Sequence, residues 1–77
     1  MEIKVLGTGC ANCKTLLSRV EQVVAELNSD ATVTKVDDIL KIIEYGVRGL
    51  PALVVDEKVL STGKVLSKDE IEQLITQ

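Results

Sequence analysis

The chain has 77 residues, twelve acidic and nine basic side chains, no histidine and one aromatic residue, Tyr45. A chain of this length makes one domain, residues 1–77, near the small end of what folds unaided. Its net charge of −3 argues against nucleic acid as a partner, and its single aromatic ring excludes base stacking as a binding mode.

No stretch is long and apolar enough to span a bilayer, so no membrane partner is expected. Met1-Glu2-Ile3-Lys4-Val5 lacks the long apolar segment of a signal peptide. The expectation is therefore a cytoplasmic protein acting as a monomer. In that reducing compartment a cysteine pair points to catalysis or metal binding rather than to a structural staple.

Glu2 to Leu6 reads as a first strand with Ile3 and Val5 on one face. Directly after it stands the only cysteine pair, Cys10-Ala11-Asn12-Cys13. At the start of a helix, residues i and i+3 lie on one side, close to the Cα separation of about 5.5 Å that a disulfide needs. Unsatisfied backbone N–H groups and the helix dipole also favour a thiolate there.

The helix is expected from about Ala11 to Leu27, because Leu16, Leu17, Val20, Val23, Val24 and Leu27 recur as one apolar stripe. Extended backward, that stripe reaches Cys13. Cys13 then faces the core, and Cys10 sits at the tip near solvent. In dithiol exchange the exposed thiol attacks a substrate disulfide and the buried one resolves the mixed disulfide. Cys10 is thus the expected nucleophile and Cys13 the resolving thiol.

Gly7 and Gly9 leave bare backbone beside Cys10 that a partner chain can approach, or they serve only the strand-to-helix turn. Lys14 adds a positive charge near the thiolate, or is an ordinary solvated helix residue.

Asn28-Ser29-Asp30 is a turn cluster, and Thr/Val-rich Ala31 to Val36 reads as a second strand. Asp37 or Asp38 can cap a short helix carrying Ile39, Leu40, Ile42 and Ile43, with Gly46 just past its end. Tyr45 is expected to be partly buried at that helix end, and Arg48 to be a solvated loop charge; both could instead contact a partner.

The loop Val47 to Leu50 leads into Pro51 and the apolar run Ala52 to Val55, a strand buried on both faces. Asp56-Glu57 turns into Lys58 to Ser61 as a hairpin, although glycine would be preferred at the second turn position. Thr62-Gly63-Lys64 breaks that strand. Ser67-Lys68-Asp69-Glu70 has the form of a capping box opening a last helix, with Ile71, Leu74 and Ile75 inward. The order β-α-β-α-β-β-α predicts an α/β fold, a four-stranded mixed sheet with helices on both faces.

A strand, a Cys-x-x-Cys at a helix start and a loop proline opening a hairpin together resemble the thioredoxin fold. The likeness is to its small glutaredoxin-sized members, often called redox-active disulfide proteins. It rests on Gly7 to Cys13, on Gly49 to Asp56, and on Gly63 with Ser67 to Glu70. The resemblance implies a cis Leu50–Pro51 bond beside the cysteines. It also implies a substrate chain held extended across Gly9, Leu50 and Pro51, no cofactor and no metal. The implied partners are a disulfide-bearing protein and a cellular thiol reductase. Thioredoxins proper have a Trp before the first cysteine, Gly-Pro between the two, and a buried Asp six residues before the first. Gly9, Ala11-Asn12 and Lys4 stand at those places here.

The Gly9 to Cys13 segment also looks like the heavy-metal-associated domains, in which two thiolates suit Cu(I). Those domains run β-α-β-β-α-β and end on a strand, whereas this chain is expected to end on a helix. A third reading keeps the fold as a binding module with inert cysteines.

Overall fold

Period-two alternation along β1 (Glu2–Leu6) sends Ile3 and Val5 to one face of a sheet and Lys4 and Leu6 to the other. The computed structural model, which describes residues 1–76, continues with α1 (Ala11–Glu26), β2 (Thr32–Val36) and α2 (Ile39–Glu44). β3 (Ala52–Val55), β4 (Lys58–Thr62) and α3 (Lys68–Ile75) complete it. Gln77, the last residue of the expected domain, lies outside the described residues.

The sheet order is β2-β1-β3-β4, with β1 parallel to β2 through the α1 crossover and β3 antiparallel to both β1 and β4. This is the mixed four-stranded sheet of the thioredoxin fold. Its element order is not the β-α-β-β-α-β of the heavy-metal-associated domains.

The continuous apolar run of β3 follows from its central position. Leu53 and Val55 join Ile3 and Val5 under Leu16, Val20 and Val23 of α1 and Ile71 and Ile75 of α3. Ala52 and Val54 face the other way, packing with Leu6 and with Ile42 of α2. Each buried aliphatic side chain of this kind stabilises by about 1.5–3 kcal/mol relative to exposure.

The short helix α2 covers its face of the sheet thinly. Over six residues it turns only one aliphatic fully inward, Ile42, while Ile39, Leu40 and Ile43 remain 51%, 69% and 63% exposed. Asp38 rather than Asp37 is its cap: the Asp38 carboxylate accepts the Leu40 N–H at 3.0 Å.

Three boundaries differ from the sequence reading. α1 stops at Glu26, and Leu27 is its C-cap, 37% exposed, because the chain turns at Asn28 with φ +52. β2 begins at Thr32, since the Ala31 N–H is taken by the Ser29 hydroxyl at 3.1 Å. β4 runs on to Thr62, which pairs with Ala52; a bulge lets Val54 pair with Val59 and Leu53 with Ser61, leaving Leu60 as the extra residue.

The hairpin turn forms without glycine. Asp56 and Glu57 both take left-handed φ, +49 and +66, and the Asp56 carboxylate anchors the turn by accepting the Glu2 N–H at 2.8 Å. The capping box of α3 is present as read: the Glu70 N–H donates to the Ser67 hydroxyl, and the Ser67 N–H donates to the Glu70 carboxylate, each at 3.2 Å.

Candidate active site

The two cysteines meet because β1 ends one short loop before α1 begins. Cys10 is the N-cap of α1, in extended backbone at φ −68 and ψ 164. Its sulfur accepts the Cys13 N–H at 3.1 Å, satisfying one of the free donors of the first turn. The Lys14 N–H closes the turn on the Cys10 carbonyl at 3.0 Å. Cys10 is exposed, and Cys13, at 6% exposure, is buried. They are joined as a disulfide with a Cα–Cα distance of 5.0 Å.

The two glycines divide the roles left open by the sequence. Gly9 has φ +91 and open space around it, so it serves the turn. Gly7 has no unusual φ; it is buried, and its N–H donates to the Val36 carbonyl at 2.9 Å. A Cβ on Gly7 would stand 2.5 Å from Cys13 Sγ and 2.8 Å from Cys13 Cβ. Glycine at this place gives the sulfur its seat on the end of β1.

The Leu50–Pro51 bond is cis. Pro51 is buried at the start of β3, and its carbonyl accepts the Gly63 N–H at 2.9 Å. Leu6 pairs with Ala52, so Gly7 and Pro51 are the next residues out on neighbouring strands. Pro51 thus lies alongside Gly7, against which the Cys13 sulfur of α1 rests. Leu50 is half-buried against the α2-side cluster with Val36, Tyr45 and Val47.

Lys4, which stands where thioredoxins have an acid, points to the α2 face of the sheet, opposite the face on which Cys13 rests. Its ammonium donates to Glu57 Oε1 at 2.6 Å and to the Tyr45 hydroxyl at 2.9 Å, and lies 3.4 Å from Glu2. The Glu57 carboxylate first, and the Tyr45 hydroxyl second, push the Lys4 pKa well above its ordinary value. The same Lys4 bond holds the Glu57 carboxyl below its ordinary value. Lys4 therefore ties β1 to the end of α2 and to the hairpin turn and stays away from the sulfurs.

Lys14 and Arg48 are exposed and Tyr45 is half-buried at the end of α2. The sulfur of Cys10 as a helix cap was not legible in the sequence, because cysteine is not among the usual cap residues. The Gly7 seat was signalled only by a second glycine where one suffices for the turn. Arg19, which donates to the Leu66 carbonyl at 3.0 Å, carried no signal at all.

Among the described residues, no group of three or more His, Cys, Asp or Glu side chains is placed to hold a metal ion. Also among them, no helix is long and apolar enough to cross a membrane.

Comparison with known proteins bears on the whole chain. A family model described as a thioredoxin domain matches residues 1–76. A protein named thioredoxin from Methanothermobacter thermautotrophicus is 40% identical over 76 residues, covering 99% of both chains. A second protein of that name, from Methanocaldococcus jannaschii, is 35% identical over 71 residues, 92% of this chain and 81% of its own. The crystal structure of chloroplastic thioredoxin z superposes with a TM-score of 0.73 at 26% identity, over 99% of this chain and 75% of that one. With a redox-capable cysteine pair at the start of α1 and a matching fold from end to end, the chain belongs to the thioredoxin family of thiol–disulfide oxidoreductases.

Proposed function

We propose that Cys10 is the attacking thiol and Cys13 the resolving thiol in the reduction of disulfides in protein substrates. The observation that carries this is the asymmetry of the pair: Cys10 is exposed at the helix N-terminus, and Cys13 is 6% exposed behind it. A thiolate on Cys10 is stabilised by the Cys13 N–H and by the positive end of α1. It attacks one sulfur of the substrate disulfide, and the other sulfur leaves with the electron pair and takes a proton. Cys13 then gives up its proton and attacks Cys10 Sγ, which closes the protein disulfide and releases the second substrate thiol.

Gly9, Leu50 and Pro51 form the substrate-binding strip. Gly9 offers side-chain-free backbone next to Cys10, and Leu50 and Pro51 offer the loop backbone that family members use to hold an extended chain. The chain works as a single domain in the cytoplasm, where a cellular thiol reductase returns the disulfide to the dithiol. In this way it carries electrons to protein disulfides and contributes to redox homeostasis.

The test is a trapping experiment. Cys13→Ser removes the resolving thiol and accumulates a mixed disulfide with a disulfide-bearing model protein, while Cys10→Ser accumulates none. Alkylation of the reduced protein at neutral pH labels Cys10 first. Faster labelling of Cys13 reverses the assignment.

A further inference from the structure

Two loops meet as bare backbone beside Pro51. Gly49 belongs to the loop that leads from α2 into Leu50 and Pro51, and Gly63 follows β4. A Cβ on Gly49 would stand 3.1 Å from Gly63 Cα and 3.5 Å from Gly63 N. The first distance is inside the separation of about 3.5–4.0 Å at which carbon atoms pack best. The converse contact is ordinary, because a Cβ on Gly63 would stand 3.7 Å from Gly49 Cα. Space is therefore demanded at Gly49, whereas Gly63 is glycine for its φ of +65.

Gly63 is the fixed member of the pair. Its N–H donates to the Pro51 carbonyl at 2.9 Å, and Thr62 before it pairs with Ala52 on β3. Pro51 is buried and anchored by the same bond. A side chain at Gly49 would thus displace its own loop rather than Gly63. Leu50, between the displaced glycine and the anchored proline, would take up the shift. The Cys10 sulfur meets the Cys13 N–H and the Cys13 sulfur sits against Gly7, contacts that include neither loop.

We propose that Gly49 is a positioning residue for disulfide exchange: its bare backbone, packed on Gly63, sets the place of Leu50 in the substrate-binding strip. The inference rests on the redox reading above and on the strip named there. Gly49 acts through Leu50 on an extended protein chain and leaves the sulfur chemistry alone.

Substrate size supplies the test. Insulin lays a chain across the strip, while hydroxyethyl disulfide is too small to need it. With dithiothreitol as electron donor, Gly49→Ala is expected to raise KM for insulin about fivefold with kcat retained, the effect of one hydrogen bond lost from binding. Its rate with hydroxyethyl disulfide and its equilibrium constant with dithiothreitol stay at the parent's values. Val23→Ala, a buried large-to-small change near the C-terminal end of α1, lowers stability and leaves KM for insulin unchanged.

Amide exchange reads the contact itself, independently of activity. The Gly63 N–H is expected to be protected in the parent protein and to exchange faster in Gly49→Ala. The inference is overturned if Gly49→Ala leaves KM for insulin unchanged, or if Val23→Ala raises it as much. Equal losses of rate with insulin and hydroxyethyl disulfide, or an unprotected Gly63 N–H in the parent, overturn it as well. A parent protein that reduces neither disulfide refutes the redox reading itself. A parent that reduces both, with no insulin-specific loss in Gly49→Ala, refutes only the positioning role.

Discussion

The sulfur of Cys13 occupies the space that a side chain at Gly7 would need: a Cβ there would stand 2.5 Å from Sγ and 2.8 Å from Cys13 Cβ. Because Gly7 has no unusual φ, alanine is acceptable to its backbone, and the cost of Gly7→Ala comes from Cys13 alone. The first turn of α1 must move outward to make room. Overpacking of this kind costs about 1–3 kcal/mol. Urea denaturation of the oxidised protein should show a loss of that size, together with faster alkylation of Cys13 in the reduced variant. Unchanged stability and unchanged Cys13 labelling would mean that the sulfur has another place to go.

The same comparison can be run on α2. Ile42 is 2% exposed in the cluster with Leu6, Ala52 and Val54, while Leu40 is 69% exposed. Ile42→Ala is expected to cost about 2–5 kcal/mol as a buried large-to-small change. Leu40→Lys should stay within about 0.5 kcal/mol, as surface changes usually do. Thermal or urea unfolding of the two variants decides it, and equal losses would contradict the placement of α2 on the sheet.

The start of α3 carries a pH-dependent contribution. The Lys64 ammonium, then the Ser67 N–H and hydroxyl, hold the Glu70 carboxyl below its ordinary value. A depressed folded-state pKa adds stability that is complete above about 4.5 and is lost as pH falls through the depressed value. Ser67→Ala should cost about 1 kcal/mol at neutral pH. The penalty should shrink in acid, as the Glu70 carboxyl takes up its proton. A penalty that does not change between neutral and acid pH would separate Ser67 from Glu70.

The order of elements was legible because each segment carried its own local signal. Examples are the stripe from Leu16 to Val23, the unbroken Ala52 to Val55 run, and the Ser67-x-x-Glu70 box. Cys13 was placed inward by the same periodicity that places Leu16 and Val20. The features that escaped depend on contacts distant in sequence. The bulge at Leu60 follows from pairing with β3, and the Lys4–Tyr45–Glu57 cluster joins residues 41 and 53 positions apart. The exposure of Ile39, Leu40 and Ile43 follows from the shortness of α2, since apolar composition alone does not reveal which residue of a single turn faces the sheet. Gly7 was readable as a glycine but not as the seat of a sulfur until the helix was laid over it.

The most direct measurement is an equilibrium titration of the protein in defined thiol–disulfide buffers, with the state of Cys10 and Cys13 read by alkylation and mass. A single two-electron transition between dithiol and intramolecular disulfide is predicted, with the protein remaining one chain throughout and the transition abolished in both Cys10→Ser and Cys13→Ser. Oxidation that yields only disulfide-linked dimers, or leaves both thiols free across the whole range, would contradict a Cys10/Cys13 redox centre.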